Sequence, residues 1–426
     1  MRAVVVALGK IGLPIAAKIA LAGHEVVGCD IDPRVVDLVN ASREPFPGET
    51  GLADALQELV PAGRLRATDD TSAAVAAGAD LVIAVAPLVV DADARPDFTV
   101  LDAVLGDIGR GLRAGTVVSV ETTLPVGTTR ERVAPALAAA SGLRAETDFF
   151  AIHSPERVYS GRIFADLDSY PKIVGGLSEE GERRGVELYR SFLSAEVRAM
   201  GSAEAAELTK LAETTYRDVN IALANEFARF ADRAGIDVNR VIDAANSQPF
   251  SHIHRPGIGV GGHCIPVYPR FYLAGDPEAR IPPVSRAIND AMPGYAVDLL
   301  EHALDRPLAG ARVVILGVTY RGNVKETAFS SAFGVRAELA RRGALPLAAD
   351  PLYADAELRA LGFEPWDGGA VDAAVVQADH AGYASLMPDA VPGARVVVDG
   401  RGVLDPAAWE RVGVRVRRIG AGSGSD

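Results

Sequence analysis

Cys264 lies inside Gly257-Ile-Gly-Val-Gly-Gly-His-Cys-Ile-Pro-Val-Tyr268, where Gly257, Gly259, Gly261 and Gly262 free the backbone for positive φ angles and close approach to a ligand. A thiol offered on such a loop can add to an electrophilic carbon and later leave it. The alternative for any lone cysteine is a small buried hydrophobe. Three other groups are candidates for the same chemistry. Glu156 follows an apolar run in Phe149-Phe-Ala-Ile-His-Ser-Pro-Glu-Arg-Val-Tyr-Ser-Gly-Arg162, either as a general base or as a solvated charge. Lys210 is either a cation for developing negative charge or a surface lysine. Thr123, in Glu121-Thr-Thr-Leu-Pro-Val-Gly-Thr128, is either a strand-end site residue or a helix N-cap.

A separate constellation opens the chain. The β-branched run 2–8 leads into Gly9-Lys-Ile-Gly12-Leu-Pro and a helix-forming stretch, then into Gly23-His-Glu-Val-Val-Gly-Cys-Asp30. Strand, glycine turn, helix, strand and an acid about twenty residues on is the context in which a helix N-terminus holds a pyrophosphate and a carboxylate holds a ribose. Gly9, Gly12 and Asp30 are therefore cofactor candidates, favouring NAD, with Arg34 leaving room for NADP. Ala7 stands where the first fingerprint glycine belongs, which a negative φ would permit. Cys29 reads as core packing.

Positioning these groups takes a large α/β scaffold. At 426 residues the chain has material for two to three domains. A net charge of -13 disfavours nucleic acid and anionic membranes as partners, and two cysteines in dissimilar segments suit a reducing cytoplasm without a disulfide. No run reaches membrane-spanning length, no signal-peptide pattern follows Met1, and nothing calls for a metal. Apolar strands at 81–87 and 116–121 alternate with Ala-rich helices, which makes Pro87 and Thr123 strand-end candidates. From 202 to about 234 there is neither Gly nor Pro, so one helix of about thirty residues, some 45 Å, is expected. Lys210 shares a face with Thr214, and Glu213 with Asn220, which reads as an inward polar stripe beside Ile221, Leu223 and Phe227. A Pro/Gly-rich linker, 249–275, carries the cysteine, and a helix spans 288–304. A second α/β unit starts after Pro307, with a helix over 332–342. Its turn has only Gly317 and Gly322, too few for a second dinucleotide; another nucleotide or a purely structural repeat remains. The tail 421–426 reads as disordered.

Together these segments resemble the UDP-glucose/GDP-mannose dehydrogenase family of nucleotide-sugar 6-dehydrogenases over essentially the whole chain. The resemblance is carried by Gly9 to Pro14, Thr122-Thr-Leu-Pro-Val-Gly-Thr, Ser154-Pro-Glu-Arg-Val, Ala206-Glu-Leu-Thr-Lys210 and Gly261-Gly-His-Cys-Ile-Pro. Pro-Glu-Arg-Val and Tyr216-Arg-Asp-Val-Asn resemble the N-acetylhexosamine (UDP-N-acetylmannosamine) branch more than the UDP-glucose one. The resemblance implies two Rossmann-like doubly wound domains joined by a long central helix: an NAD-binding domain at 1–200, a dimer-forming helical region with the cysteine loop at 201–305, and a nucleotide-sugar domain at 306–426.

It also implies a four-electron oxidation with NAD as acceptor. A C6 alcohol gives one hydride, Cys264 captures the aldehyde as a thiohemiacetal, a second hydride leaves, and water cleaves the thioester. Lys210 matches the oxyanion-stabilising position, Glu156 the base, Thr123 the water-holding threonine, and Thr214 a further catalytic position. Lys10, Ile11, Pro87 and Lys325 join the cofactor set. Arg157, Val158, Gly261, Tyr268 and Tyr320 join Glu156 and Lys210 as substrate contacts, and Arg255 is expected to reach the substrate of a neighbouring copy in a homodimer. Three positions depart: Thr214 where the family carries Asn, Tyr268 where it carries Asp, and Ala328 where it carries Arg. A neutral phenol at 268 suggests slow thioester hydrolysis. Rival readings are a two-electron hydroxyacid dehydrogenase, which leaves Cys264 and the second α/β unit unexplained, and a non-catalytic nucleotide-sugar sensor.

Overall fold

Runs such as Val4-Val5-Val6 and Val313-Val314-Ile315-Leu316 are too uniformly apolar to show one face to water, so they demand burial on both sides. In a computed structural model that describes residues 1–91, 93–159 and 161–422, these runs lie in the centres of two sheets, one in each of two units. The first unit comprises Met1–Glu213 and Arg270–Pro277, the second Thr214–Pro269 and Glu278–Asp426. Of the glycine/serine tail, 423–426 lie outside the described residues.

The first unit contains β1 (Arg2–Val6), β2 (Glu25–Cys29), β3 (Leu65–Thr68), β4 (Leu81–Ala84), a two-stranded hairpin of β5 (Val89–Val90) and β6 (Pro96–Asp97), β7 (Val117–Val120), β8 (Phe150–His153), β9 (Lys172–Gly176) and β10 (Val197–Ala199). Its large sheet runs β10-β9-β8-β7-β4-β1-β2-β3, with β8 and β9 antiparallel and the other pairs parallel. The second unit contains β11 (Arg312–Leu316), β12 (Leu345–Ala349), β13 (Glu364–Pro365), β14 (Ala373–Val376), β15 (Val396–Asp399) and β16 (Arg415–Arg418), all parallel in the order β13-β12-β11-β14-β15-β16. Counted from its own first strand, each sheet lays its third, second, first and fourth strands side by side. That doubly wound order reverses direction between the first and fourth strands and opens a crevice at their carboxyl ends. Helices cover both faces, and the apolar clusters around Ile15, Leu56 and Ile152 in the first unit and Leu300, Ile315 and Val398 in the second form the cores. The expected fold class is thus observed. No helix among the described residues is long and apolar enough to cross a membrane.

The long helix is Ala203–Ala234, 32 residues. Ser202 Oγ accepts from the amide of Ala205 at 3.1 Å to start it, and Gly235 at φ +69° ends it. Its inward stripe differs in membership from the expected one. Glu207, Lys210, Thr214, Asp218 and Asn225 are buried, whereas Glu213 and Asn220 are only half-buried. The period of 3.6 carries the stripe on from Thr214 to Asp218 and Asn225, and rotates Glu213 and Asn220 away.

Two boundaries need correction. The helix expected at 288–304 is Ile281–Leu304, because Pro282 and Pro283 occupy its first turn, where no amide donor is needed. The linker ends earlier than expected, since helix Tyr268–Gly275 begins at Tyr268, whose amide donates to the Cys264 carbonyl at 2.9 Å.

Candidate active site

The turn after β1 shows why its residues are small. A Cβ on Gly12 would lie 2.0 Å from the Ala7 carbonyl oxygen, so only glycine fits. Over Gly9 the space is open. Ala7 departs from the negative φ expected for a methyl-bearing residue: it sits at φ +74°. Its amide keeps the last rung to Cys29 at 2.8 Å, so the chain must turn at its Cα to reach Gly12, at a cost of about 1 kcal/mol for the left-handed methyl. Helix Gly12–Leu21 then starts after Ile11 with no side-chain cap; Leu13 donates to the Gly9 carbonyl at 3.2 Å and Pro14 has no amide proton, so the Gly12 amide is the one placed to meet an anion.

Asp30, just past β2, accepts from the amides of Leu8 at 2.8 Å and Asp32 at 2.9 Å, which fixes its carboxylate beside the turn while each oxygen retains acceptor capacity. Arg34 is tied to Asp32, Nη2 to Oδ2 at 2.6 Å. Lys10 is exposed, Ile11 half-buried, and Pro87 exposed after β4. An open glycine turn, an uncapped helix start and an oriented carboxylate fit a dinucleotide.

The carboxyl ends of β7 and β8 carry the next group. Thr123 is buried, and the following helical turn begins only at Thr129, so Thr123 is not its N-cap. Glu207 of the long helix holds this motif. It accepts from the Gly127 amide at 2.6 Å, the Thr129 amide at 2.8 Å and the Thr129 hydroxyl at 2.6 Å. Lys210, one turn further along, is also buried.

Burial pushes the Glu156 carboxyl above the usual range, while the Lys210 ammonium, the Val158 amide that donates to it and Lys172 pull it back. Arg157 Nε pairs with Glu213 at 3.0 Å. Beneath this loop lies a network that the sequence reading did not single out. Lys172 Nζ reaches Glu121 Oε2 at 2.6 Å and the Ser154 carbonyl at 3.1 Å, and Tyr189 donates to Glu121 Oε1 at 2.5 Å. Glu121, Glu156 and Lys172 help line a cavity of about 10 Å³, the room of about one water. The first unit therefore brings Glu156 and Lys210 into electrostatic reach of each other.

In the second unit the cysteine loop is pressed against the segment after β11. A Cβ on Gly261 would meet Tyr320 Cβ at 2.6 Å and the Phe329 carbonyl at 2.9 Å; Gly262 adopts φ +91° and donates its amide to Ala328 at 2.8 Å. Cys264 is half-buried. Burial pushes the Tyr320 phenol up, Arg321 lowers it, and the neighbouring Cys264 and Glu326 add to the rise. His263 Nε2 lies 3.6 Å from Glu326. Tyr268 follows this loop as the first residue of helix Tyr268–Gly275. Thr214 is buried on the long helix. Two predicted residues stand elsewhere in this unit: Arg255 is held by Asp243 and the Asn239 carbonyl, and Lys325 by Glu357 at 2.6 Å and the Tyr353 ring. Arg401, past β15, donates from Nε to the Gln377 carbonyl at 2.8 Å and from Nη2 to the Tyr320 carbonyl at 3.3 Å.

Against known proteins, the chain matches the UDP-glucose/GDP-mannose dehydrogenase family in three parts: the NAD binding domain over residues 1–193, the central domain over 204–290 and the UDP binding domain over 314–406. It is 35% identical to a UDP-N-acetyl-D-mannosamine dehydrogenase of Pyrococcus horikoshii, across 99% of this chain and 100% of the relative. An enzyme of that description from the same organism has a solved structure, similar with a TM-score of 0.90 and 33% identity over 99% of each chain. The structure of an NDP-N-acetyl-D-galactosaminuronic acid dehydrogenase from Methanosarcina mazei Go1 is similar at a TM-score of 0.87 and 30% identity, over 99% of this chain and 95% of the other.

Proposed function

From the premise that this chain belongs to the UDP-glucose/GDP-mannose dehydrogenase family, we propose that it oxidises the C6 alcohol of a UDP-N-acetylhexosamine to the uronate in a four-electron reaction. It is an NAD-dependent nucleotide-sugar dehydrogenase. NAD supplies the hydride acceptor. Gly9, Lys10, Ile11, Gly12 and Asp30 are the residues to hold it, with Arg34, Pro87, Thr123 and Lys325 as further contacts. We divide the chain into the NAD-binding part at 1–200, the helical part at 201–305 and the nucleotide-sugar part at 306–426. The reaction is assigned to the cytoplasm, in keeping with two free thiols.

One observation carries the covalent reading. The only thiol among the described residues that is not fully buried stands on a loop docked, through Gly261 and Gly262, onto Tyr320 and Ala328 of the segment that matches the UDP binding domain. Cys264 is then the nucleophile for a sugar aldehyde, because an aldehyde cannot release hydride until a nucleophile makes its carbon tetrahedral. Lys210 supplies positive charge to the oxyanions, and Glu156 takes the proton of the hydrolytic water. Thr123 and Thr214 hold water and substrate hydroxyls, and Arg157, Val158, Gly261, Tyr268 and Tyr320 orient the sugar nucleotide. A panel of UDP-, dTDP- and GDP-sugars, with product and NADH counted together, is expected to give two NADH per uronate, most rapidly with a UDP-N-acetylhexosamine. A ratio of one with free aldehyde would reject the covalent scheme.

The homodimer is proposed on the long helix. Tyr216, Asn220, Leu223, Phe227 and Phe230 follow each other at alternating steps of four and three, and the four apolar members are exposed. That spacing is the seam of a two-helix contact. Arg255, on the same unit, is the candidate to reach the neighbour's substrate. Sedimentation is expected to show a dimer for the parent and a monomer for Leu223→Glu/Phe227→Glu; a double variant that stays dimeric removes this seam.

A further inference from the structure

A buried run of amides leads from the cysteine loop to an ion pair between two helices of the second unit. Gly257, the first glycine of the loop, donates its amide to Asn225 Oδ1 at 2.9 Å. Asn225 Nδ2 donates to Asn289 Oδ1 at 2.9 Å, and Asn289 Nδ2 donates to the Asp218 carbonyl at 3.0 Å and carboxylate at 2.8 Å. Arg286 Nη1 lies 2.9 Å from that carboxylate. Asp218 and Asn225 are fully buried, Asn289 is 1% and Arg286 6% exposed.

Asp218 and Asn225 stand two turns apart on one face of the long helix, and Arg286 and Asn289 one turn apart on helix Ile281–Leu304. For joining two helices this is an uneconomical choice, because well-packed apolar side chains hold helices together at least as well as a buried ion pair. What apolar packing cannot do is accept a hydrogen bond from a loop amide. Each amide in the run accepts on the loop side and donates on the Asp218 side, so the whole run is polarised by the Asp218 charge and leaves Asn225 Oδ1 presented to Gly257. The loop is fastened by backbone bonds as well, Ile258 to the Gly400 carbonyl at 3.2 Å and Gly262 to Ala328 at 2.8 Å. Asn225 adds a side-chain anchor at the start of the stretch that ends in Cys264.

We propose that Asn225 is a positioning residue for Cys264, holding the loop through Gly257 and itself oriented by Asn289, Asp218 and Arg286. The proposal rests on Cys264 being the nucleophile, and a readout of the thiol alone separates the two. Cys29 is fully buried, so iodoacetamide reports on Cys264. In Asn225→Ala the alkylation rate is expected to change by about threefold or more and kcat for uronate to fall by about tenfold or more, with KM for NAD kept within about twofold. Asn225→Asp retains the acceptor for Gly257 but loses the donor to Asn289 Oδ1, and is expected to restore the alkylation rate only in part. An alkylation rate and kcat unchanged in Asn225→Ala would overturn the proposal. Should that variant fail to fold, hydrogen exchange in the unaltered protein decides: the Gly257 amide is expected to exchange far more slowly than that of exposed His263, and equal rates would overturn the anchor. Full uronate production by Cys264→Ala would remove the nucleophile reading, and alkylation and exchange would still decide the anchor.

Discussion

Cys264→Ala is expected to form no detectable uronate, a loss of about 10⁴-fold or more, while it still binds NAD and still produces one NADH per aldehyde. The size of the effect follows from the chemistry of the second oxidation. An aldehyde carbon has no hydride to release in its planar form, and simple hydration in a site shaped for a thiol adduct is a slow substitute. No other sulfur can take over. Cys29 is fully buried at the end of β2, and burial pushes its thiol up to about 12, so it carries negligible thiolate at neutral pH. Product analysis by mass spectrometry with parallel NADH counting checks this; normal uronate yield from the variant would sink Cys264 as nucleophile.

The long helix and both sheets were legible because their signals are local and redundant. A stretch of 32 residues without Gly or Pro, capped by Ser202 and closed by Gly235, permits little but a helix. Unbroken runs such as Val313 to Leu316 permit little but a doubly covered strand. Lys210 and Thr214 were placed on one face by spacing alone, and that face is indeed buried. The same spacing, extended by four and then seven residues, reaches Asp218 and Asn225, so those two could have been found. Their partners Arg286 and Asn289 lie more than sixty residues away, and no local pattern links them.

Other features depend on tertiary pressure that a sequence does not display. Ala7 takes a glycine's φ because the strand rung to Cys29 and the contact with Gly12 leave its Cα no other path. Glu121 looks like one more strand-end acid, and Lys172 like a charge at the start of a strand. Only the folding of β7 against β8 and β9 beyond it turns them into an ion pair under the Glu156 loop. Pro282 and Pro283 precede the helix start expected at 288, whereas in the fold they lie in the first turn of a helix that begins at Ile281.

Glu156→Gln is expected to slow release of the acid by about 10²- to 10⁴-fold, so that a covalent acyl-enzyme on Cys264 accumulates during turnover and is visible by intact-protein mass spectrometry. The amide keeps the shape and the contact with the Val158 backbone within reach, and removes only the proton acceptor. The pH dependence gives the test its direction. Burial is the largest influence on Glu156 and raises its carboxyl above the ordinary 4.5, opposed by Lys210. In the parent, hydrolysis should therefore rise with pH through a limb displaced upward from that of a free glutamate, with acyl-enzyme most abundant on the acid side. The glutamine variant should lack the limb. Stability moves the other way. A carboxyl raised on folding contributes stability below its unfolded value, and that contribution is lost as pH climbs through the folded value. Above its folded value the parent therefore carries a disfavoured buried charge that glutamine lacks, and in that range the variant's Tm is expected to rise as its turnover falls. A slower enzyme that is also less stable would point to a structural role. An unchanged pH profile with no adduct would take the base assignment away from Glu156.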